Sequence, residues 1–237
     1  MARRSRLRIA GVPQHVIQRG NNRQATFFAE RDYRFYLACL REAACRHDCS
    51  IHAYVLMTNH VHLLATTNQP EAMSLVMRDL GRSYVQYVNF TYRRTGSLWE
   101  GRFKSSLVDT QRYFIACCRY IELNPVRAGV VNRPENYRWS SHGFYALGRA
   151  DALLTAHDEY SALGENDAAR QRAYRQLFCS QEDASGLEEI RHAVNRGWPL
   201  GSDHFKDQIE RALKRAARPP KRGRPAVPRN SADVQRD

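Results

Sequence analysis

Two histidines separated by one residue, His60 and His62, are the first candidates for chemistry in this sequence. They lie in MTNHVHLLATT, residues 57–67, whose apolar residues are typical of a buried strand. Alternate side chains of a strand share a face, so the two imidazoles point one way while Val61 and Leu63 point into the core. Two neutral imidazoles so placed can bind one divalent metal ion. The alternative is a pair of histidines that line a solvated sheet face.

A predicted helix over 110–124 offers partners for these histidines. Tyr120 and Asn124 are four residues apart and lie on one helix face, and Tyr113 lies two turns earlier near that face. A tyrosine hydroxyl is a poor nucleophile at neutral pH because its usual pKa is about 10, but a metal ion would polarise a phosphate under attack. The pattern indicates that Tyr120 is a nucleophile facing a metal-bound phosphate. The alternative is a half-buried aromatic residue of an amphipathic helix.

The order of elements along the chain predicts the fold class. Apolar periodicity and turn residues predict strands over 15–20, 50–57, 60–66 and 102–109, and helices over 31–47, 71–96 and 110–124. This β-α-β-β-α-β order is the split βαβ pattern of an α+β, ferredoxin-like or RRM-like sandwich, with an added nucleophile helix. Asp109 is the expected N-cap of the added helix, and Pro125 is expected to end it.

The chain is expected to divide into three parts, 1–148, 149–216 and 217–237. The first holds the sandwich and closes with YRWSSHGFYALG, which is expected to pack back on it. The second is a mostly helical C-terminal extension, in which Ser202 is the expected cap of the last helix. The third is rich in proline and arginine, a composition typical of a disordered basic tail.

The net charge of +13 is unevenly distributed. Residues 1–10 carry four arginines and no acid, and residues 211–230 carry eight basic residues and no acid. Residues 11–150 have a net charge of +8, whereas residues 151–210 have a net charge of −6. This distribution favours a polyanion such as nucleic acid as partner, the alternative being tails that are charged for solubility.

Two classes of protein and one kind of site are disfavoured. No apolar run reaches about 18 residues, and the basic N-terminus has no apolar segment behind it, so neither a membrane span, a membrane partner nor a secretory signal is expected. We therefore expect a cytoplasmic, nucleoid-associated protein. The segment CRHDC, residues 45–49, lacks a second half with zinc-ligand spacing, so its thiols are expected to be unliganded.

Several segments resemble single-tyrosine DNA transposases, whose HUH motif is His-hydrophobic-His. NHVHLL at 59–64 resembles that motif, and CRYIELNPVRAGVV at 118–131 resembles their nucleophile helix. The segments HVIQRGNNRQATFF, YVLMTNHVHLL, YVNFTYRRTGSLWEGRFKSSLV and YRWSSH are similar to one branch of that family, the transposases associated with repetitive extragenic palindromes (REPs). The resemblance covers about residues 8–148.

The resemblance implies a reaction and a cofactor. His60 and His62 would hold Mg²⁺ or Mn²⁺, and Asn124 would be the third ligand at a position where relatives often have glutamine. Tyr120 would attack a phosphodiester in single-stranded DNA, leaving a 5′-phosphotyrosine link and a free 3′-OH. The link conserves the bond energy, so rejoining needs no high-energy cofactor.

The resemblance also implies a partner, the imperfect DNA hairpins that REPs form beside a short tetranucleotide. Candidate DNA contacts are the long helix from Glu71 and a set of arginines: Arg3, Arg4, Arg19, Arg23, Arg102 and Arg127. In the tail, Arg222, Gly223 and Arg224 resemble an AT-hook, which would insert into the narrow minor groove of an A·T-rich duplex. Relatives include swapped dimers, so the sequence leaves the choice between a monomer and a homodimer open.

Three other functions compete with the nicking and joining enzyme. A catalytically silent protein could bind the same repeats, although a pure binder needs neither the two histidines nor Tyr120. Replication initiators and relaxases often carry paired tyrosines and a helicase domain, and neither feature is visible here. A phosphoesterase with paired His-x-Thr/Ser motifs would need a second motif, and the sequence has one His-x-His.

Overall fold

The computed structural model describes residues 5–179 and 184–219. The predicted DNA contacts Arg3 and Arg4 lie outside these residues, as do Arg222, Gly223 and Arg224 of the AT-hook-like segment. Their proposed roles, and the predicted disorder of the tail, stay predictions, as does the division of the chain at 148 and 216.

A four-stranded antiparallel sheet with the order β2-β3-β1-β4 forms the centre of the protein. Its strands are β1 Gln14–Arg19, β2 Cys49–Met57, β3 His60–Thr67 and β4 Lys104–Leu107. Helix α1, Glu30–Arg46, joins β1 to β2, and helix α2, Ala72–Thr91, joins β3 to β4. This topology confirms the predicted α+β split βαβ fold.

Further helices follow the last strand. They are α3 Thr110–Glu122, α4 Asn124–Arg127, α5 His142–Leu147, α6 Asp158–Ser161, α7 Asp167–Leu177, α8 Ala184–Arg196 and α9 Asp203–Leu213. Short 3-10 turns lie at Asn21–Arg23 and Pro134–Asn136. Among the described residues, none of these helices combines the length and apolar character that a membrane crossing requires.

Both faces of the sheet are covered, because β3 alternates between two apolar cores. Val61 and Leu63 pack into a core with α1 and α2, whereas Leu64 packs into a second core with α3 and the C-terminal helices. These three side chains are fully buried, and burial of each contributes about 2 kcal/mol. Helix α3 therefore packs on the sheet face that carries Leu64, opposite the face that carries Val61 and Leu63.

Three local features differ from the sequence prediction or refine it. Helix α2 ends at Thr91 rather than at Gly96 because Arg93 takes a left-handed conformation, with φ of 50°. Asn124 begins α4 instead of ending α3, since Pro125 can occupy the first turn of a helix but cannot continue one. Asp109 occupies the N-cap position of α3, but its carboxylate accepts hydrogen bonds from Ser202 instead of capping.

Later parts of the chain cover both outer strands of the sheet. Along β2, the Leu56 amide donates to the Trp139 carbonyl oxygen over 2.9 Å, as expected for a segment that packs back. Beyond β4, the Leu200 amide donates to the Leu107 carbonyl oxygen over 2.8 Å. The extension is thus joined to the sheet by backbone hydrogen bonds as well as by packing.

A buried carboxylate, Glu122 at the end of α3, joins the first 148 residues to the extension. Its oxygens accept hydrogen bonds from the Ser141 hydroxyl at 2.5 Å, His142 Nδ1 at 3.0 Å and the Tyr174 hydroxyl at 3.0 Å. Glu122 is fully buried, so these partners replace its hydration. One side chain therefore fixes the C-terminal end of α3 against α5 and α7.

We expect Glu122→Ala to lower the free energy of unfolding by about 3–5 kcal/mol, since three buried donors lose their acceptor. Urea denaturation followed by circular dichroism measures this change. Glu42→Ala, which removes an exposed ion pair with Arg46, is the matched control and should cost less than about 1 kcal/mol. Equal stability of the two variants would contradict the anchoring role of Glu122.

Candidate active site

The candidate site lies on the face of the sheet that α3 covers. In the pairing of β1 with β3, Ile17 lies opposite His62 and Arg19 lies opposite His60. Residues directly opposite each other in an antiparallel pair share a face. The two histidines, as predicted, therefore point to one side, and Arg19 brings a positive charge to the same side.

Each histidine of the pair has its Nδ1 atom in a hydrogen bond. His60 Nδ1 lies 2.7 Å from Asn59 Oδ1, which can only accept, so His60 carries its proton on Nδ1. His62 Nδ1 lies 2.9 Å from Nε2 of His15, a buried residue of β1. The centroids of the His60 and His62 rings are 5.2 Å apart. The Nε2 atoms are thus the ones available to a ligand.

The histidines of the site are uncharged at neutral pH. Burial lowers the pKa of His15 to about 3. Burial, with the nearby charge of Arg19, lowers the pKa of His60 to about 4. Burial and the neighbouring His15 also lower the pKa of His62 well below its usual value. Neutral imidazoles keep a lone pair, which a metal ligand requires.

The Tyr120 ring lies beside the histidines of its own chain. Its centroid is 5.8 Å from that of His62 and 5.6 Å from that of His15, in edge-to-face geometry. The guanidinium of Arg127 lies over the ring at 4.6 Å, and Arg191 of α8 hydrogen-bonds the hydroxyl. Burial raises the pKa of Tyr120, and the charges of the two arginines oppose that shift. The positive charges of these arginines would thus favour the phenolate, which is the form of Tyr120 that acts as a nucleophile.

Tyr113, the other tyrosine on this helix, lies in different surroundings. Its hydroxyl donates to Glu189 over 2.7 Å. Burial and the carboxylate of Glu189 raise the pKa of Tyr113 to about 12, because both disfavour its phenolate. Tyr113 is therefore much less suited to nucleophilic attack than Tyr120.

Asn124 lies close to Tyr120 but is turned toward its own helix. Its Nδ2 atom donates to the Tyr120 carbonyl oxygen at 2.9 Å and to the Ile121 carbonyl oxygen at 3.1 Å. Only Oδ1 of Asn124 could ligate a metal. Within the described part of the chain, no three His, Cys, Asp or Glu side chains form a cluster that could hold a metal ion. A metal here would rest on two imidazoles and an amide oxygen, with other positions left to water and substrate.

A basic cavity of about 710 Å³ is lined by Arg19, the residue that lies opposite His60 in the sheet. Three of the predicted DNA contacts, Arg19, Arg23 and Arg102, line it together. Lys104 of β4 and Asn195 of α8 complete its polar wall, and Glu100 is an acidic residue in its lining. Arg127, by contrast, lies against Tyr120, so any contact of Arg127 with DNA would be at the nucleophile itself.

Three residues of the site were not recognised in the sequence. His15 and Lys104 could have been found from strand alternation, since they lie on the face of β1 and β4 that carries Ile17 and Arg19. Arg191 gives no local signal, because it reaches Tyr120 from a distant helix. Its role depends on how α8 docks.

Residues 9–124 match the family model described as "Transposase IS200 like". These residues of the chain belong to the IS200-like transposase family. Membership makes it a DNA-cleaving and rejoining enzyme of the transposase class. No curated protein sequence matches this transposase significantly.

The solved structures that are similar to this transposase include the following two. A REP-associated tyrosine transposase bound to a REP hairpin is 18% identical with a TM-score of 0.55, over 66% of this chain and 93% of that chain. A protein described as a transposase from Deinococcus radiodurans is 21% identical with a TM-score of 0.36, over 51% of this chain and 96% of that chain. The first likeness shows a shared fold.

The lowered histidine pKa values predict a loss of stability in acid. Below pH 6.5, the unfolded chain takes up protons on His15 and His60, whereas the folded chain does so only near pH 3 to 4. The free energy of unfolding should therefore fall as the pH drops from about 6.5 toward 4, by about 1–2 kcal/mol per histidine at pH 5. Urea denaturation at several pH values measures this slope.

The variant His15→Phe should show a shallower slope, while His204→Ala, which removes an exposed histidine of α9, should not change it. A slope in His15→Phe as steep as in the wild type would contradict the assignment of this effect to His15.

Proposed function

We propose that this transposase cleaves and rejoins single-stranded DNA beside REP-type hairpins, with Tyr120 as nucleophile and a divalent metal as cofactor. The observation that carries the proposal is the position of the Tyr120 ring, 5.8 Å from His62. A cationic cavity that begins at Arg19 supports it, since such a cavity can take up a phosphate backbone.

In the proposed reaction, Tyr120 Oη attacks the phosphorus of a phosphodiester in the bound strand. The Oη–P bond forms as the bond from phosphorus to the 3′ oxygen breaks. The phenol loses its proton to solvent, and the departing 3′ oxygen takes one up, so the products are a 5′-phosphotyrosine and a 3′-OH. Arg127 and Arg191 would stabilise the developing phenolate, and the reverse step would join the phosphate to a new 3′-OH.

His60 Nε2, His62 Nε2 and Asn124 Oδ1 would hold the cofactor. A bound divalent ion would polarise the phosphate and neutralise charge that develops on its oxygens. Two imidazoles and no carboxylate make a softer set of donors than Mg²⁺ prefers, so of the two ions considered, this set favours Mn²⁺. The hydrogen bond from His60 Nδ1 to Asn59 fixes the orientation of one ring, as is typical of metal-binding histidines.

The proposed substrate rests on two observations. Arg19, Arg23 and Arg102 line one cavity, and Arg19 lies opposite His60, so a strand bound in the cavity would lead toward that histidine. The structural neighbour of the same fold was solved with a REP hairpin. The partner proposed for this chain is therefore a DNA hairpin with an unpaired flank. Binding of A·T-rich duplex by the C-terminal tail stays a separate proposal.

A second function, binding of the repeats without cleavage, is favoured by the burial of the nucleophile. Tyr120 is only 5% exposed, and Arg191 of α8 hydrogen-bonds its hydroxyl. Attack on a phosphate requires the DNA strand to reach this buried hydroxyl. A chain in which the strand never reached it would bind DNA and remain silent.

The test is cleavage of an end-labelled hairpin with a single-stranded flank, resolved on denaturing gels that retain covalent protein–DNA adducts. Wild type should form an adduct only with Mn²⁺ or Mg²⁺, and Tyr120→Phe should lose at least about 10³-fold of the rate because it lacks the nucleophilic oxygen. His60→Ala/His62→Ala should lose the dependence on metal together with activity. Tyr113→Phe is the matched control and should keep forming the adduct.

Two outcomes would replace the proposal. Hairpin binding without an adduct, in wild type and in Arg191→Ala, would establish the silent binding protein. An adduct that persists in Tyr120→Phe and disappears in Tyr113→Phe would assign the nucleophile to Tyr113.

A further inference from the structure

An aromatic platform lies where the N-terminal end of α1 meets the C-terminal end of α2. It consists of five side chains: Phe28, Phe35, Tyr87, Phe90 and Tyr92. Phe90 is 88% exposed, Phe28 45% and Phe35 36%, which makes them three of the most exposed large apolar side chains in the described residues. The Phe35 ring stacks on Tyr87 at 4.1 Å, and the Phe28 ring contacts Tyr92 at 4.7 Å. Phe28 and Phe35 thus belong to a ring cluster, and Phe90 lies three residues after Tyr87 on the same side of α2.

Asp32, in the first turn of α1, holds this cluster together. Its buried carboxylate accepts hydrogen bonds from the Phe28 amide at 2.8 Å and the Ala29 amide at 2.9 Å. It also accepts from the hydroxyls of Tyr87 at 2.8 Å and Tyr92 at 2.9 Å. Four donors on one fully buried acid fix the tyrosines and the Phe28 backbone in place. The platform is therefore preorganised.

The charges around the platform are positive. The guanidinium of Arg31 lies over the Tyr92 ring and that of Arg94 over the Phe28 ring, each at 5.6 Å. Residues 80–99 contain three arginines and no acid. Glu30, the exposed acidic residue nearest in sequence to Phe28, is paired with Arg34 and Arg138. Such surroundings attract a polyanion and oppose contact with a second copy of this basic chain.

The backbone links the platform to the candidate active site. The amide of Thr26, two residues before Phe28, donates to the carbonyl oxygen of Thr58 over 2.8 Å, next to the turn that carries His60. On the other side, the Glu100 amide donates to the carbonyl oxygen of Arg19 over 2.8 Å, at the basic cavity. The platform therefore lies at the same end of the sheet as the cavity and His60, on the face of α1 and α2, whereas the candidate site lies on the face of α3.

We propose that the aromatic platform stacks the unpaired bases of the single-stranded segment next to the hairpin. Every base has a π face, and stacking on aromatic side chains beside arginines binds single strands with little dependence on sequence. The platform would hold the flank while the cavity holds the backbone near Tyr120. This inference rests on the proposed function for its substrate, but base stacking can be measured without cleavage.

The experiment measures DNA affinity in the Tyr120→Phe background without metal, so that catalysis does not enter. Fluorescence anisotropy is recorded for a hairpin with an unpaired flank, a blunt hairpin and an unstructured oligonucleotide. Phe28→Ala/Phe90→Ala should weaken binding of the flanked hairpin and the oligonucleotide by about 10–100-fold, at about 1–3 kcal/mol per stacked base. Leu147→Ala, which trims an exposed apolar residue of α5, is the control and should bind as before.

Abasic substitutions in the flank identify the bases that stack. At a stacked position, loss of the base and loss of the rings should not add, because each removes the same contact. Three results would overturn the proposal: unchanged affinity of Phe28→Ala/Phe90→Ala, equal weakening on the blunt hairpin, or a change in oligomeric state instead of DNA binding. Failure of the proposed hairpin substrate would give a different result, since the parent protein would then bind neither hairpin more tightly than the oligonucleotide.

A different observation, the hydrogen bond between His15 and His62, carries a second inference. For His62 to offer the lone pair of Nε2, its proton must lie on Nδ1 and be donated to His15 Nε2, which lies 2.9 Å away. His15 must then carry its own proton on Nδ1, an atom with no hydrogen-bond partner in the part of the chain that the structure describes. We infer that His15 is a positioning residue that selects the metal-binding tautomer of His62.

Mn²⁺ binding to the DNA-free protein, followed by the electron paramagnetic resonance of free Mn²⁺, tests this role without activity. His15→Phe keeps a planar ring but has no acceptor, and it should weaken binding by about 10–100-fold. His15→Gln restores an acceptor oxygen and should recover most of the affinity. His52→Phe is the control for loss of a buried histidine and should retain the affinity of the wild type.

Undiminished binding in His15→Phe would overturn the inference, as would equal loss in His15→Phe and His15→Gln. Circular dichroism separates these results from unfolding, and His15→Leu provides a second variant without an acceptor if His15→Phe does not fold.

Discussion

The two-residue alternation of β3 is the constraint on which the site depends. One side of the strand gives Val61 and Leu63 to the core under α1 and α2, and the other gives His60 and His62 to the face under α3. A shift of one residue in register would place both imidazoles in an apolar core, where their polar atoms would have no partners. Pairing with β1 on one side and β2 on the other prevents that shift.

Two buried carboxylates organise the layers on either side of this sheet. Asp32 gathers the ends of α1 and α2 on one face, and Glu122 gathers α3, α5 and α7 on the other. Each is surrounded by donors that replace water, so each specifies a geometry that apolar packing alone leaves variable. The exposed rings and the nucleophile helix thus depend on polar contacts in the interior.

Much of the fold and part of the site follow from local patterns in the sequence. Strand alternation in β3 and helical spacing in α3 bring His60, His62 and Tyr120 together once the split βαβ topology is recognised. The end of α2 was not predictable from Gly96, since Arg93 adopts the left-handed conformation that glycine would favour. The contacts of Arg191 with Tyr120 and of Asp109 with Ser202 join distant segments, so no local pattern encodes them. The arginines at the two chain ends stay sequence predictions.

The covered edges of the sheet have a consequence for the behaviour of the protein at high concentration. Exposed edge strands offer unpaired amides and carbonyls that other chains can extend into a continuous sheet. Here the segment around Trp139 occupies the free side of β2, and the segment around Leu200 lies along β4. At β4 the C-terminal extension therefore also protects the protein against aggregation through its edge strand. Removal of the extension would expose β4 as a template for edge-to-edge association.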